Sequence, residues 1–267
     1  MSVVWIVERE GIIGSTNTEK LRDALQAVGV PFVGVDPRYF TDDLPEASGV
    51  PDGAVRVYYG STTLRDKLVA AGLPGVFFDP FRFSFFSLGR GYRRELLNFD
   101  SRVTTIAGFL EEYETADPDE LIFVRPVLDS KELVGAVQTR REWAEAIRVS
   151  MNNTRCPTER TAIQIADPRN LDFEWRLFIV DGKVVASSQY RAYGQQSRSA
   201  EVPEHVRIYG ERMASIYSPA RVFTLDVCQL SSDGSLRVVE TNCFNCSGFY
   251  ESDVEAIVRA VTEAVKC

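Results

Sequence analysis

Phe223-Thr224-Leu225-Asp226-Val227, Ser231-Ser232-Asp233-Gly234-Ser235 and Val238-Val239-Glu240-Thr241-Asn242 form the stretch on which the architecture depends. Two β-prone runs around a Ser/Asp/Gly turn read as a hairpin. With the turn centred on Asp233, Asp226 falls opposite Glu240, and the period of two puts Asn242 on the same face. The two carboxylates then sit about 5 Å apart. Like charges opposed on a sheet are destabilising unless a cation lies between them or one carboxyl stays protonated. An oxygen-only trio of Asp226, Glu240 and Asn242 suits magnesium, which completes its octahedron with waters and substrate phosphates, so the hairpin points to a nucleotide. The bland alternative is an edge hairpin with both acids in solvent.

A second hairpin precedes it, Phe173 to Tyr190, turned by Asp181-Gly182, a dipeptide that favours a tight two-residue turn. The regular register pairs Val180 with Lys183, Phe178 with Val185, Arg176 with Ser187 and Glu174 with Gln189. Glu174, Arg176, Ser187, Gln189 and Arg191 are then expected on one face, and Trp175, Leu177, Ile179, Val184 and Ala186 on the other. The polar face could simply meet water. Its arginines and short polar groups fit an anion-binding floor better.

Upstream, Leu121-Ile122-Phe123-Val124-Arg125-Pro126 reads as a buried strand ending in a cation, which needs an anionic partner. Lys131 follows in the loop Asp129 to Gly135, before a helix capped by Thr139 and Glu142. Strand, lysine- and glycine-bearing loop and helix can cradle phosphates, although the G-x-x-x-x-G-K-[ST] pattern is absent and a plain surface loop fits as well.

The first hundred residues alternate strands and helices: Val3 to Val7, a helix from Asn17 to Val28 with Thr16 and Glu19 as a capping box, Pro31 to Val35, Ala54 to Tyr59, a helix from Thr63 to Ala71, and Gly75 to Phe78. This predicts a small parallel α/β layer. Gly11 and Gly14 make no dinucleotide fingerprint. Between Phe77 and Asn98, Phe77, Phe78, Phe81, Phe83, Phe85, Phe86 and Tyr92 interleave with Arg82, Arg90, Arg93 and Arg94. The segment either connects two packed domains or lines a substrate cleft. The domain boundary is expected near Asp100, and a helix from Thr104 to Glu114 follows it.

At 267 residues, 45% apolar and 25% charged, the chain has an ordinary globular balance, which excludes disorder as its theme. A formal charge of −8 argues against general nucleic-acid binding. Glu8, Arg9 and Glu10 stand where a signal peptide needs apolar residues, and no run is long enough to span a bilayer, so a cytoplasmic protein is expected. Five cysteines, an odd number, argue for free thiols. Cys243 and Cys246 make a C-x-x-C, but no second pair stands at zinc spacing. The only histidine, His205, falls in a predicted helix, far from any nucleophile motif.

A strand ending in Arg-Pro, a loop and helix, an amphipathic hairpin beginning Glu174-Trp175-Arg176, then Asp226 followed by Glu240-x-Asn242: in that order the chain resembles the ATP-grasp superfamily of carboxylate-amine ligases over Leu121 to Val265. Arg125-Pro126, where most members have Lys-Pro, resembles the clade named for one arginine and two lysines, found in bacteria and phages. The resemblance implies an α/β and α+β protein, a small N-terminal pre-ATP-grasp domain over 1–100 and a two-lobed ATP-grasp fold over 101–267. It implies that Arg125 and Lys131 hold the phosphates of ATP, that Thr161 to Asp167, in particular Ile165, Ala166 and Asp167, lie beside adenine, and that Glu174 binds ribose. Asp226, Glu240 and Asn242 match the magnesium ligands, and Asn245, Ser247 and Gly248 the loop facing phosphate or substrate. Arg176, Arg191 and Lys131 are the candidate catalytic residues.

The implied reaction joins a small-molecule or peptide carboxylate to an amine through an acyl phosphate, releasing ADP and phosphate. The loop Asp129 to Gly135 is the candidate lid. An ATP-dependent kinase in the same cleft and a non-catalytic nucleotide-binding module are the alternatives. A monomer or a homodimer is expected.

Overall fold

The computed structural model describes residues 2–9, 15–38, 41, 43–130, 133–151 and 157–266. Gly11, Gly14, Lys131 and Glu132, with Cys156 and Cys267, lie outside the described residues. The strands build three sheets.

In the first, β1 (Val3–Glu8) lies between β2 (Phe32–Val35) and β3 (Val55–Tyr59), parallel to both. Every residue of β1 is buried, as an unbroken Val/Ile/Trp run requires when both faces of a strand are covered. The connections include α1 (Ser15–Val28) and α2 (Thr62–Ala70). Thr16, expected as an N-cap, already lies inside α1. Gly75 to Phe78, expected to return to the sheet, is not a strand. Gly75 has φ +95°, outside the β region, and a Cβ there would lie 2.1 Å from the Arg56 carbonyl oxygen, so the segment crosses tight against β3 instead.

The second sheet orders β4 (Arg102–Thr105), β7 (Ala162–Ala166), β5 (Leu121–Pro126) and β6 (Ala136–Thr139), all antiparallel. β5 spans the residues its apolar run predicts. β4 and β6 were not expected, because each has four residues, too few to show a period. Two helices, α4 (Ile106–Tyr113) and α5 (Arg140–Ser150), cover this sheet around Ile106, Phe109, Trp143 and Ile147. The Thr139–Glu142 capping box of α5 forms in full.

The third sheet orders β10 (Gln195–Ser199), β9 (Lys183–Ala192), β8 (Leu171–Val180), β11 (Val222–Leu230) and β12 (Leu236–Cys243). One face packs Trp175, Leu177, Ile179, Phe223 and Leu225 beneath α6 (Glu204–Ile216) and against α3 (Phe85–Tyr92). On the other face Phe178, Val180, Ala186 and Val222 share a core with Trp5, Val57, Phe244, Phe249 and α7 (Val254–Ala264). The N-terminal sheet and the C-terminal hairpins therefore share one hydrophobic core. The aromatic and arginine-rich segment contains α3, whose Leu88 and Tyr92 are buried, while Arg82, Arg90, Arg93 and Arg94 stay exposed.

The β8–β9 hairpin departs from the regular register. Asp181 and Gly182 take φ 49° and φ +78° in the tight turn and Val180 pairs with Lys183, as expected. Bulges then admit Val185 and Tyr190 as extra residues, so that Phe178 meets Ala186, Arg176 meets Ser188 and Glu174 meets Arg191. The face assignment is corrected accordingly. Ser187 accepts a hydrogen bond from Arg207 of α6 at 3.0 Å. Gln189 sits beside Phe173 and Trp175, and Ala186 joins the opposite core.

Candidate active site

The second and third sheets face each other across a cleft of about 920 Å³. Its polar floor comes from the middle of β8, β11 and β12. Asp226 lies opposite Glu240 and Thr224 opposite Asn242, as the turn-centred register predicts. Beyond Asp226 the pairing slips by one, Val227 to Val238, leaving Val239 as a bulge residue that lines the cleft. Tyr190, extra residue of the other bulge, lines it too. Bulges beside functional sites commonly re-aim side chains in this way.

Two ion pairs organise the floor. Arg176 grips Asp226 with both arms, Nε to Oδ1 at 2.8 Å and Nη2 to Oδ2 at 2.7 Å. Arg125, at the end of β5, meets Glu240 Oε2 at 2.7 Å and so bridges the two sheets. Between the carboxylates, Asn242 Nδ2 donates to Asp226 Oδ2 at 3.3 Å and to Glu240 Oε1 at 3.0 Å. Burial pushes the Asp226 carboxyl above its ordinary range, and the Arg176 guanidinium pulls in the opposite direction. The like charges read from the sequence are thus compensated by arginines reaching in from neighbouring strands.

Glu174 forms a second cluster. Its Oε1 accepts from Arg191 Nη1 at 3.0 Å and its Oε2 from the Tyr190 hydroxyl at 2.9 Å. Burial, then the Asp226 and Glu174 carboxylates, hold Tyr190 well above the usual phenol range, so it stays a donor. Tyr190 stacks on Tyr250 with ring centroids 5.1 Å apart, and the Arg176 and Arg198 guanidiniums sit 5.1 Å and 5.6 Å from the Tyr250 ring. Tyr250 itself has φ 51°, a conformation rarely taken by a residue with a large side chain and one that concentrates at binding sites.

Arg125, Glu174, Arg176, Arg191, Asp226, Glu240 and Asp167 all line this one cleft. Ile165 does not; it is buried among α4 and α5. Ala166, next to Asp167, is buried as well. Asn245 is withdrawn: its amide donates to the carbonyls of Tyr58 at 2.5 Å and Gly75 at 3.0 Å and accepts from Phe77 N at 2.7 Å, so it ties β3 to the C-terminal segment. The Ser247 hydroxyl bonds to the Cys243 carbonyl at 2.7 Å, and the Gly248 carbonyl accepts from Arg176 Nη1 at 3.4 Å. Cys228, Cys243 and Cys246 are free thiols.

Sequence reasoning missed the apolar walls, Phe123, Leu133 and Val137 on one side and Leu171 and Val239 on the other. Phe123 and Val137 stand in strand pairing across β5 and β6, but a strand of four residues carries no signal that would have shown it. Apolar walls closing over a charged floor suit a flat heteroaromatic group joined to an anion.

The comparisons fall on this same architecture. No curated protein matches the chain. Among solved structures, D-alanine–D-alanine ligase from Bacillus anthracis complexed with ATP shares 13% identity at a TM-score of 0.61, covering 100% of this chain and 98% of that one. The D-cycloserine synthetase DcsG shares 14% at 0.57, covering 99% and 100%. The ATP-grasp ligase PsnB complexed with a minimal precursor shares 12% at 0.54, covering 100% and 99%. At these identities the likeness is one of fold. The family model of the ATP-grasp domain, family 3 of the clade named for one arginine and two lysines, matches residues 93–261, well over half of the chain. With its sheets and cleft arranged as described, the chain belongs to this ATP-grasp domain family.

Proposed function

We propose that this chain is an ATP- and magnesium-dependent ligase that joins a carboxylate to an amine through an acyl phosphate, with release of ADP and phosphate. The observation that carries the reading is the convergence of Arg125 with Glu240 and Arg176 with Asp226 on one floor beneath apolar walls. The adenine ring would lie between Phe123, Leu133 and Val137 and the opposing Leu171 and Val239, with Asp167 at the edge and Glu174 at the ribose hydroxyls. Arg125 would hold phosphate oxygens, with Lys131 as the expected second cation.

The donor set fits magnesium as a half-open site. Asp226, Glu240 and the Asn242 amide carry hard oxygens, and each carboxylate would exchange a bond to Arg176, Arg125 or Asn242 for the ion. When bound, the ion would supply positive charge that offsets the negative charge developing on the transferred phosphoryl group. The chain's own residues would do the rest. Arg176, released from part of its grip on Asp226, can bind the substrate carboxylate or the transferred phosphoryl group, because a guanidinium matches either with paired hydrogen bonds. Arg191, half exposed at the rim, can take the other.

The substrates are proposed to be a small-molecule or peptide carboxylate and an amine, since PsnB is described with a precursor peptide and AMPPNP, and D-alanine–D-alanine ligase is named for small substrates. A division at about residue 100 into two units that share one core, a monomer or homodimer, and a cytoplasmic location belong to the same proposal. Among the described residues no helix is long and apolar enough to cross a membrane. A kinase in this cleft would leave the phosphoryl group on the acceptor.

The test is magnesium-dependent ATP turnover against pooled amino acids, dipeptides and amines, with ADP, AMP and phosphate read together by mass spectrometry. ADP, phosphate and a new amide mass are expected, whereas AMP overturns the acyl-phosphate chemistry and a phosphorylated acceptor indicates a kinase. Glu240→Ala should abolish turnover with the fold intact. Near wild-type turnover in that variant refutes the assignment of Glu240.

A further inference from the structure

A second cleft, of about 1200 Å³, opens on the outer side of α3. Arg82, Arg90, Arg93 and Arg94 line it with Phe99 and Tyr217. All four arginines are exposed, in a chain whose 38 acidic residues outnumber its 30 basic ones. Among the described residues, none of these four guanidiniums pairs with a carboxylate, and the Arg82 guanidinium donates to the Ser218 carbonyl at 2.7 Å. Glu95, the one acid of the lining, is already held by the Tyr209 hydroxyl at 3.0 Å and by Arg212 at 3.4 Å.

The end of α3 accounts for part of this charge, because a helix C-terminus favours cations by about 0.3–1 kcal/mol. It does not account for Arg82, which precedes the helix, or for Phe81 and Phe86, 75% and 60% exposed beside it. Nor does it explain Arg93, whose φ of 51° places a side-chain-bearing residue in a costly region between Arg90 and Arg94. Gathered guanidiniums repel one another unless an anion lies among them.

We propose that this arginine-lined cleft is a docking site for an acidic segment of polypeptide. Guanidiniums match carboxylates bidentately, and exposed phenylalanines beside them suit the apolar side chains of a peptide. A nucleic acid is a poorer fit: its continuous phosphate charge would run from four arginines onto a surface that is acidic overall. The same segment continues directly to the nucleotide cleft. Leu97 N donates to the Val238 carbonyl at 2.8 Å, and Leu97 and Asn98 line that cleft. Docking on the outer cleft is independent of the ligase reading and stands or falls on binding alone.

The experiment is fluorescence anisotropy with the full chain and a labelled twelve-residue Glu/Phe peptide (~12 residues suffices to span such a cleft at about 3.3 Å per residue), against a Lys/Phe analogue and a single-stranded oligonucleotide. The acidic peptide should bind, weaken as salt rises, and lose at least about tenfold in affinity in Arg90→Gln/Arg94→Gln. That pair leaves the special backbone at Arg93 alone, and its thermal midpoint should match the wild type. Should it unfold, Arg82→Gln provides the same comparison from outside the helix. No binding of the acidic peptide, equal affinity in the folded variants, or preference for the oligonucleotide overturns the proposal.

Discussion

Arg176 and Asp226 show how one residue pair can serve both stability and chemistry. Both side chains are nearly inaccessible, at 10% and 2%, and the pair is bidentate. Burying two charges is costly, and their attraction compensates only in good geometry, so such pairs are retained where function needs them. Removing one partner leaves the other charge stranded. Arg176→Ala should therefore destabilise the fold by about 3–5 kcal/mol, read as a lower urea midpoint at pH 7. A loss below about 1 kcal/mol would mean that Asp226 is already protonated or held by Asn242 alone.

At the scale of elements, strand ends meet helix starts. Glu8 closes β1 and accepts from Ser61 N at 2.5 Å and from the Ser61 hydroxyl at 3.2 Å, at the N-terminus of α2. Gly60 leaves room for this contact, because a Cβ would lie 2.6 Å from the Glu8 carboxylate and displace it. Burial raises the Glu8 carboxyl above its ordinary range, the Ser61 bonds pulling the other way. The folded chain then holds this proton more tightly than the unfolded one. That contribution is complete below the ordinary carboxylate range and lost as pH rises through the raised folded value. Glu8→Gln should thus raise the thermal midpoint relative to wild type at pH 8 and show a smaller gain at pH 4, by scanning calorimetry. An equal gain at both pH values would show that Glu8 is not perturbed.

In the whole molecule the N-terminal sheet is finished by the C-terminal end. Trp5 Nε1 donates to Thr262 of α7 at 3.0 Å, and Val3, Trp5 and Val7 pack with Phe178, Phe244 and Ile257. A buried pair, Arg65 with Asp129 at 3.1 Å, joins α2 to the chain just after β5. Residues 1–100 expressed alone should consequently remain unfolded, since β8 and α7 supply much of their core. A dispersed amide spectrum from that fragment would instead show an independent domain.

Much of this was legible locally. The unbroken apolar run of β5, the Asp181-Gly182 turn, the Thr139–Glu142 cap and the opposition of Asp226 to Glu240 follow from period, turn chemistry and capping, all interactions between near neighbours. What lay beyond reach depended on contacts between distant segments. The bulges at Tyr190 and Val239 leave no pattern in the residues, because one inserted residue is accommodated by the partner strand. Asn245 carries an amide suited to a ligand, and its bonds to the carbonyls of Tyr58 and Gly75 join segments too far apart in the chain to be read from it. Residue order alone was enough to place β5 and to set which carboxylates oppose one another. Which arginines compensate those charges was settled by the packing of remote segments, because Arg125 and Asp226 reach the same floor from different sheets.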